Sequence, residues 1–272
     1  MRAIIKWPGG KKQLLNEIKK YIPENINTYY EPFIGGGAVL FDLEPNNAKM
    51  NDLNKELINV YKQVKNHSNQ LIQLLQIHEK NHCKEYFYQI RKLDRQDNYN
   101  QLNDIEKAAR FIYLNKTCFN GLYRVNSKGQ FNAPMGKYKN PHICDEKIIK
   151  ELSRYLKTNK VKISNMDFEK FLKNVEKGDF VYLDPPYDPI SETSNFTSYN
   201  KNGFSKYEQI RLKKVCDDLN EKGVKFLQSN SDSEFINELY KDYKIVKVKA
   251  TRSINSKADG RGKINEVFIM NY

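Results

Sequence analysis

Two spacings of apolar residues alternate along this chain. Short β-branched and aromatic runs fall at residues 28–31, 161–164, 224–229, 245–248 and 266–270, Lys49-Met50-Asn51-Asp52 ends another candidate strand in an acid, and Phe180, Val181, Tyr182 and Leu183 form an unbroken apolar run. Such runs read as strands, and one without polar interruption reads as a strand buried on both faces, the pattern of a parallel sheet. Helical spacing appears between them. Leu14, Leu15, Ile18 and Tyr21 predict a helix over 13–21 that stops before Pro23. Ser205 and Glu208 make a capping box for another that runs through 219. From Lys55 onward the alternation gives way to helix alone. Leu57, Tyr61, Val64, Leu71, Leu74 and Leu75 predict one over 55–75; others follow over 85–93 and from an Asp104 cap through 114, and Asp145 caps a last one through 156.

The pattern predicts an α/β fold. Residues 1–54 and 157–272 form a Rossmann-like sheet with helices on both faces, and a mostly helical domain is inserted over 55–156. A β-hairpin is expected in the insert near 117–137, turning at Asn126, Ser127, Lys128 and Gly129, with Phe119, Leu122, Tyr123, Arg124 and Phe131 around the turn.

Three stretches carry chemistry. Asp184-Pro185-Pro186-Tyr187 follows the run Phe180 to Leu183, at the carboxyl end where open α/β sheets bind ligands. These four residues suit transfer to an amino group on a flat ring. The lone pair of such an amine is delocalised, so attack requires the nitrogen to turn from planar towards tetrahedral, and two acceptors aimed at its two N–H bonds favour that change. The Asp184 carboxylate supplies one; the Pro185 carbonyl, held in direction by the ring of Pro186, can supply the other. Tyr187 offers a face on which a base can stack, a contact contributing about 1–3 kcal/mol. A rigid turn capped by Asp184 accounts for an isolated Asp-Pro-Pro equally well.

Pro32-Phe33-Ile34-Gly35-Gly36-Gly37, between the 28–31 strand and a helix starting at Ala38, is the turn of a nucleotide-binding βαβ unit, its glycines letting a ligand approach the backbone. Asp52 stands fifteen residues after Gly37, near the separation at which a carboxylate meets ribose hydroxyls. A nicotinamide dehydrogenase competes for this geometry, yet Ala38 to Phe41 supply no further glycine for a G-x-G-x-x-G turn. Trp7-Pro8-Gly9-Gly10-Lys11-Lys12 departs from a P-loop at two points, with Ile5 at the first glycine position and Lys12 in place of Ser or Thr. What remains is a close-approach turn with an aromatic and a cation, suited to a cofactor with a ring and a carboxylate.

Together, Trp-x-Gly-Gly-Lys, Glu-Pro-Phe-x-Gly-Gly-Gly-Ala, Asn-Asp-x-Asn and Asp-Pro-Pro-Tyr stand in the order that resembles DNA adenine methyltransferases of the Dam type. The resemblance implies a Rossmann-like methyltransferase core with an inserted target-recognition domain. It implies methyl transfer from S-adenosylmethionine, which leaves S-adenosylhomocysteine, to N6 of an adenine flipped out of double-stranded DNA. By position, Asp184, Pro185, Pro186 and Tyr187 would be catalytic; Trp7, Lys11, Phe33, Asp52 and Asp184 would line the cofactor site, with Asp167 and Phe168 near its adenine. Asn-Gly-Leu-Tyr-Arg-x-Asn followed by Gly-x-Phe-Asn-x-Pro-x-Gly resembles the family's recognition hairpin. Arg124 would then read guanine, Leu122 and Pro134 would contact base edges, Phe119 would wedge into the stack, and GATC is the implied target. A cytosine-N4 or RNA-directed enzyme on the same core, or a DNA-binding homologue without activity, remain alternatives.

Charge sharpens the choice of partner. Of the formal net charge of +13, most is concentrated in two stretches: residues 110–139 hold six basic residues (Arg110, Lys116, Arg124, Lys128, Lys137, Lys139) and no acidic one, and 241–263 hold eight against two. Such concentration is the footprint of a polyanion partner. The polar loop 191–202, with Phe196 and Tyr199, is expected to close on the flipped base, and 251–263 to contact phosphate. No apolar stretch reaches about 18 residues and residues 1–15 lack a signal-peptide core, so a cytoplasmic protein away from membranes is expected. The four cysteines form no CxxC pair, and His78 and His82 read as an exposed helix face, so no disulfide and no metal are expected. Nothing in the chain calls for an obligatory protein partner.

Overall fold

The computed structural model describes residues 1–189, 204–251 and 263–272. The 191–202 loop lies outside the described residues, as does nearly all of the expected phosphate-contacting stretch. In chain order the elements are α1 (Leu15–Lys19), β1 (Tyr29–Glu31), α2 (Ala38–Leu43), β2 (Ala48–Asn51), α3 (Lys55–Lys80), α4 (Lys84–Lys92), α5 (Asp104–Thr117) and α6 (Glu146–Thr158). They continue with β3 (Lys162–Ser164), α7 (Phe168–Leu172), β4 (Phe180–Leu183), α8 (Lys206–Glu221), β5 (Lys225–Ser231), α9 (Glu234–Leu239), β6 (Lys244–Thr251) and β7 (Lys263–Met270). The strands form a seven-stranded mixed sheet in the order β3-β2-β1-β4-β5-β7-β6. Two compact units emerge: Met1–Gly10, Gly35–Glu44 and Asp52–Asn165 make the first; Lys11–Ile34, Pro45–Asn51 and Met166–Tyr272 make the second.

In the second unit β2, β1, β4 and β5 run parallel, Tyr29 standing opposite both Ala48 and Phe180. β7 enters antiparallel between β5 and β6, with Ser229 opposite Phe268. The apolar runs specified these strands but not the reversal of the last two, because direction depends on connections rather than on side-chain pattern. Val181, Leu183, Phe226, Val267 and Ile269 point to one face and pack with Phe171 of α7, Leu212, Val215 and Leu219 of α8, and Ile236 of α9. On the other face Tyr29 and Phe180 lie 6.1 Å apart, and Tyr21, just past α1, meets Phe268 edge-on at 5.8 Å. Helices therefore reach both faces, as the doubly wound pattern requires.

In the first unit α3 packs along α5 and α6, burying Leu57, Tyr61, Val64, Leu71 and Leu75. It runs past the predicted end at 75 to Lys80 and bends at His67 (φ −132°, ψ 34°). The residues beyond Leu75 lose the apolar face, yet Gln, Glu and Lys are good helix formers and carry the helix on. Asn103, not Asp104, caps α5, in a full capping box with Glu106. At α8 only half of the predicted box forms: Ser205 accepts from the Glu208 N–H, while the Glu208 carboxylate turns to Arg211 at 2.7 Å.

Two polar expectations are corrected here. His78 stacks on Tyr113 with centroids 4.8 Å apart and its Nδ1 lies 2.8 Å from the Tyr86 hydroxyl, while His82 Nδ1 lies 2.9 Å from the Tyr113 hydroxyl. The pair is half-buried in an aromatic cluster, not an exposed face, and burial pushes His78 down to about 4. Arg110, counted above with the polyanion footprint, is 3% exposed and pairs with Asp94 at 2.8 Å.

The hairpin turns where predicted: Gly129 N–H donates to Asn126 O and Asn126 N–H to Gln130 O, both at 2.9 Å. Its arms share only isolated bridges, Val125 with Phe131 and Cys118 with Met135. Asn120 and Gly121 sit at positive φ and Pro134 has no N–H, so a continuous ladder cannot form. Neighbouring side chains hold it instead. Arg95 donates to Phe131 O (2.7 Å), Arg91 to Ala133 O (3.1 Å), and Asp94 accepts from Phe131 N–H (2.7 Å). Among the described residues no helix is long and apolar enough to cross a membrane.

Candidate active site

The chain steps from β1 outward through β2 and returns as β4 on the far side of β1, so the strand order reverses between β1 and β4. Ligands of open α/β sheets bind at the carboxyl ends of strands flanking such a reversal. Glu31 ends β1 and leads into Pro32 and Phe33; Leu183 ends β4 and leads into Asp184. The sequence-predicted Phe33 and the Asp-Pro-Pro-Tyr tetrapeptide thus emerge from neighbouring strands of the second unit.

Lys11, in the turn before α1, places Nζ 2.8 Å from Asp184 Oδ1, with the lysine side chain 4% and the aspartate 20% exposed. The same ammonium lies 4.7 Å from the centroid of the Tyr187 ring. The Tyr187 hydroxyl donates to Glu266 Oε2 at 2.7 Å. Burial pushes the Asp184 carboxyl up to about 6; Lys11 pulls against this by charge and hydrogen bond, and the Glu266 carboxylate adds a smaller upward push. Burial, then the charges of Asp184 and Glu266, hold the Tyr187 hydroxyl well above its ordinary value, so it stays a neutral donor. Lys11, Asp184 and Tyr187, singled out separately in the sequence, are one cluster.

Polar groups that the sequence reading passed over hold the end of the tetrapeptide. Gln209 Nε2 donates to Pro186 O at 3.0 Å and its Oε1 accepts from Asn230 Nδ2 at 3.1 Å. Asn230 Oδ1 in turn accepts from the N–H groups of Ser231 (2.9 Å) and Asp188 (3.3 Å). Ser231 donates to Asp188 O, and Ser233 to the Asp188 carboxylate. The signal was legible: after Phe226 and Leu227 the strand continues as Gln228, Ser229, Asn230 and Ser231, four consecutive polar residues that are all buried. Most of their polar atoms are paired, as buried polar groups usually are, although Gln228 Nε2 is buried without a hydrogen-bond partner among the described residues. Nearby, Phe33 is half-buried against Phe168 (5.5 Å) and Phe204 (5.8 Å), Asp167 caps α7, and Arg211 binds Asp167 while lying over Phe168.

In the first unit, Asp52 Oδ2 accepts from Gly35 N–H at 3.1 Å and Oδ1 from Asn54 N–H at 2.9 Å. Burial pushes this carboxyl up to about 6 although those backbone bonds oppose it. Trp7 stacks on Tyr123 (5.5 Å) and Phe111 (6.4 Å). Besides any approach to a ligand, the glycines of the turn make room for the protein itself. A Cβ at Gly35 (φ +45°) would stand 2.7 Å from the Trp7 ring, and one at Gly37 (φ +69°) 2.2 Å from Phe41. Only glycine meets both the backbone and the space requirements at these positions.

Of the residues assigned to the hairpin, Phe119 is 52% exposed, Arg124 and Pro134 are exposed, and Leu122 is half-buried. Phe119 N–H donates to Pro134 O at 2.8 Å, which brings those two together. Arg124 donates from Nε to Asn132 Oδ1 at 2.7 Å and from its terminal nitrogen to Asn132 O at 3.1 Å. Lys128, Lys137 and Lys139 are exposed, whereas Lys116 is half-buried. No group of three or more metal-ligating side chains occurs among the described residues.

The model of a family described as D12 class N6 adenine-specific DNA methyltransferase matches residues 7–254. The type II methyltransferase M1.LlaDCHI of Lactococcus lactis subsp. cremoris is 50% identical over 272 residues, covering all of this chain and 96% of its own. The type II methyltransferase M.MjaIII of Methanocaldococcus jannaschii is 44% identical, covering all of this chain and 99% of its own. The DNA adenine methylase of Escherichia coli strain K12 is 34% identical over 99% of this chain and 95% of its own. The chain belongs to the D12 class of N6 adenine-specific DNA methyltransferases and is an adenine-specific DNA methyltransferase.

Proposed function

We propose that this enzyme transfers the methyl group of S-adenosylmethionine to N6 of an adenine rotated out of duplex DNA within GATC. One observation carries the reading: the Asp184 carboxylate, at the end of a central parallel strand beside the strand-order reversal, held against a buried lysine and next to Tyr187. The order of the four motifs supports it further.

S-adenosylmethionine fits the donor set. The Asp52 carboxylate accepts backbone N–H bonds from Gly35 and Asn54, which orient it, and a carboxylate's several lone-pair directions suit it to accept from a ribose hydroxyl as well. The half-buried ring of Phe33 suits a purine, and Trp7, Lys11 and Asp184 complete the cofactor-binding residues of the proposal. When bound, the cofactor supplies an electrophilic methyl group on a cationic sulfur.

The remaining work falls to the chain's own side chains. Asp184 and the Pro185 carbonyl accept the two N6 hydrogens and turn the nitrogen towards tetrahedral. Pro186, its own carbonyl tied to Gln209, keeps the Pro185 carbonyl in direction. The carboxylate stabilises the positive charge that grows on N6 and can take up its proton. Tyr187 presents a ring for the base to stack on. In the 55–156 segment, proposed as the target-recognition domain, Arg124 is exposed with its guanidinium braced by Asn132, suited to the O6 and N7 edge of guanine. Leu122 and Pro134 contact base edges, and exposed Phe119 fills the gap left by the extruded base.

DNA from cells expressing the enzyme tests the target: it should resist a GATC nuclease blocked by adenine methylation and be cut by one that requires it. The reverse pattern would remove GATC from the proposal. Asp184→Ala should abolish transfer of labelled methyl to duplex DNA while DNA binding persists; normal turnover by that variant would refute the catalytic assignment.

A further inference from the structure

We propose that Glu266 is a positioning residue for the Asp-Pro-Pro-Tyr tetrapeptide, holding Tyr187 by its hydroxyl so that the ring stays fixed between a carboxylate at its tip and the Lys11 ammonium over its face. The inference rests on the catalytic reading of Asp184 and Tyr187 above.

The geometry divides the work between the two partners. The para oxygen of a tyrosine lies on the Cβ–Cγ axis, so the 2.7 Å bond to Glu266 Oε2 fixes where that axis points. Lys11, 4.7 Å from the ring centroid, engages one face and resists rotation about the same axis. A ring restrained in both senses is a preformed stacking platform, and preformed placement of a reacting group is worth large factors in rate. Glu266 is itself placed by the sheet: it lies on β7 opposite Ser231 of β5 and Val248 of β6, the antiparallel insertion that the apolar pattern did not specify.

Glu266 also acts on Asp184 through space. The charged groups that bear on Asp184 are Lys11 from the turn before α1 and Glu266 from β7; Asp184 in turn acts on Tyr182 of its own strand and on Tyr187 beyond it, both held neutral, and Glu31 of β1 acts on Tyr182. Lys11 favours the ionised carboxylate, and Glu266 opposes ionisation. A carboxylate at 266 thus keeps the acid limb of the reaction higher than Lys11 alone would set it.

The test is steady-state methylation of duplex DNA with labelled S-adenosylmethionine across pH. Glu266→Ala is expected to lower kcat about tenfold while KM for S-adenosylmethionine changes less than about twofold. Glu266→Gln keeps the acceptor and the volume, guarding against loss of fold. It should lower kcat less than alanine does and move the acid limb to lower pH, since the opposing charge is removed. Tyr187→Phe combined with Glu266→Ala should be no slower than the worse single variant. An acid limb that stays in place in Glu266→Gln, or wild-type kcat in both Glu266 variants, overturns the proposal. An active Asp184→Ala instead overturns the catalytic reading on which it rests, so the two failures are separable.

Discussion

At the scale of single residues, the Lys11–Asp184 pair sets how the enzyme should respond to pH. Lys11 is buried with Asp184 compensating its charge, and Asp184 stays largely ionised near neutrality because Lys11 offsets its desolvation. With Asp184 titrating at about 6, kcat is expected to fall on acidification through that pH, read directly from a pH–rate profile. Replacing Lys11 by Met should move this acid limb to higher pH, since the opposing charge and hydrogen bond are both lost; an unmoved limb would show that another group controls the profile. Stability runs the other way for the same group. A carboxyl whose native pKa lies above its unfolded value of about 4 binds its proton more tightly in the folded chain, so ionising Asp184 and Asp52 costs stability as pH rises from about 4 to about 6. The sequence named Lys11, Asp52, Asp184 and Tyr187 from motif chemistry alone, yet it gave no hint that one lysine serves both the carboxylate and the ring.

At the scale of elements, the hairpin and the glycine turn depend on neighbours. The hairpin's turn residues could be read locally because Asn126, Lys128 and Gly129 bond to one another within five residues. Its bracing could not, since Arg91, Asp94 and Arg95 come from a segment roughly forty positions earlier. Asp94→Ala would leave the buried Arg110 guanidinium without its counter-ion, though still bonded to the Ile90 and Arg91 carbonyls, and release Phe131, a change expected to cost about 3–5 kcal/mol. Chemical denaturation should register that loss, and DNA affinity should fall with it. Gly37→Ala forces a side chain into left-handed backbone and against Phe41, and should destabilise by roughly 2–5 kcal/mol in the same assay. A silent Gly37→Ala would mean that the turn adapts at little cost.

At the scale of the whole molecule, the charge excess shows how composition and exposure differ. The +13 net charge predicted a polyanion partner, and membership in a DNA methyltransferase family agrees with that. Not every basic residue of the 110–139 stretch is available to phosphate, because Arg110 is buried against Asp94 and Lys116 is half-buried. Lys128, Lys137 and Lys139 are exposed, so alanine at each should reduce the salt dependence of DNA binding by a slope of about 1 where it contacts phosphate, whereas Lys116→Ala should change it less. By itself, the sequence determined the strands, the longer helices and the tetrapeptide at a strand's carboxyl end, because those rest on local periodicity and on residues adjacent in the chain; the short helices α7 and α9 and the full length of β6 and β7 were not read from it. Only the tertiary structure decided that β7 runs back between β5 and β6, that Gly35 and Gly37 make way for Trp7 and Phe41, and that Gln209, Asn230 and Glu266 hold the tetrapeptide. Each of these depends on which distant side chains come to share a space, and a contact between residues far apart in the chain leaves no period in the sequence to be read.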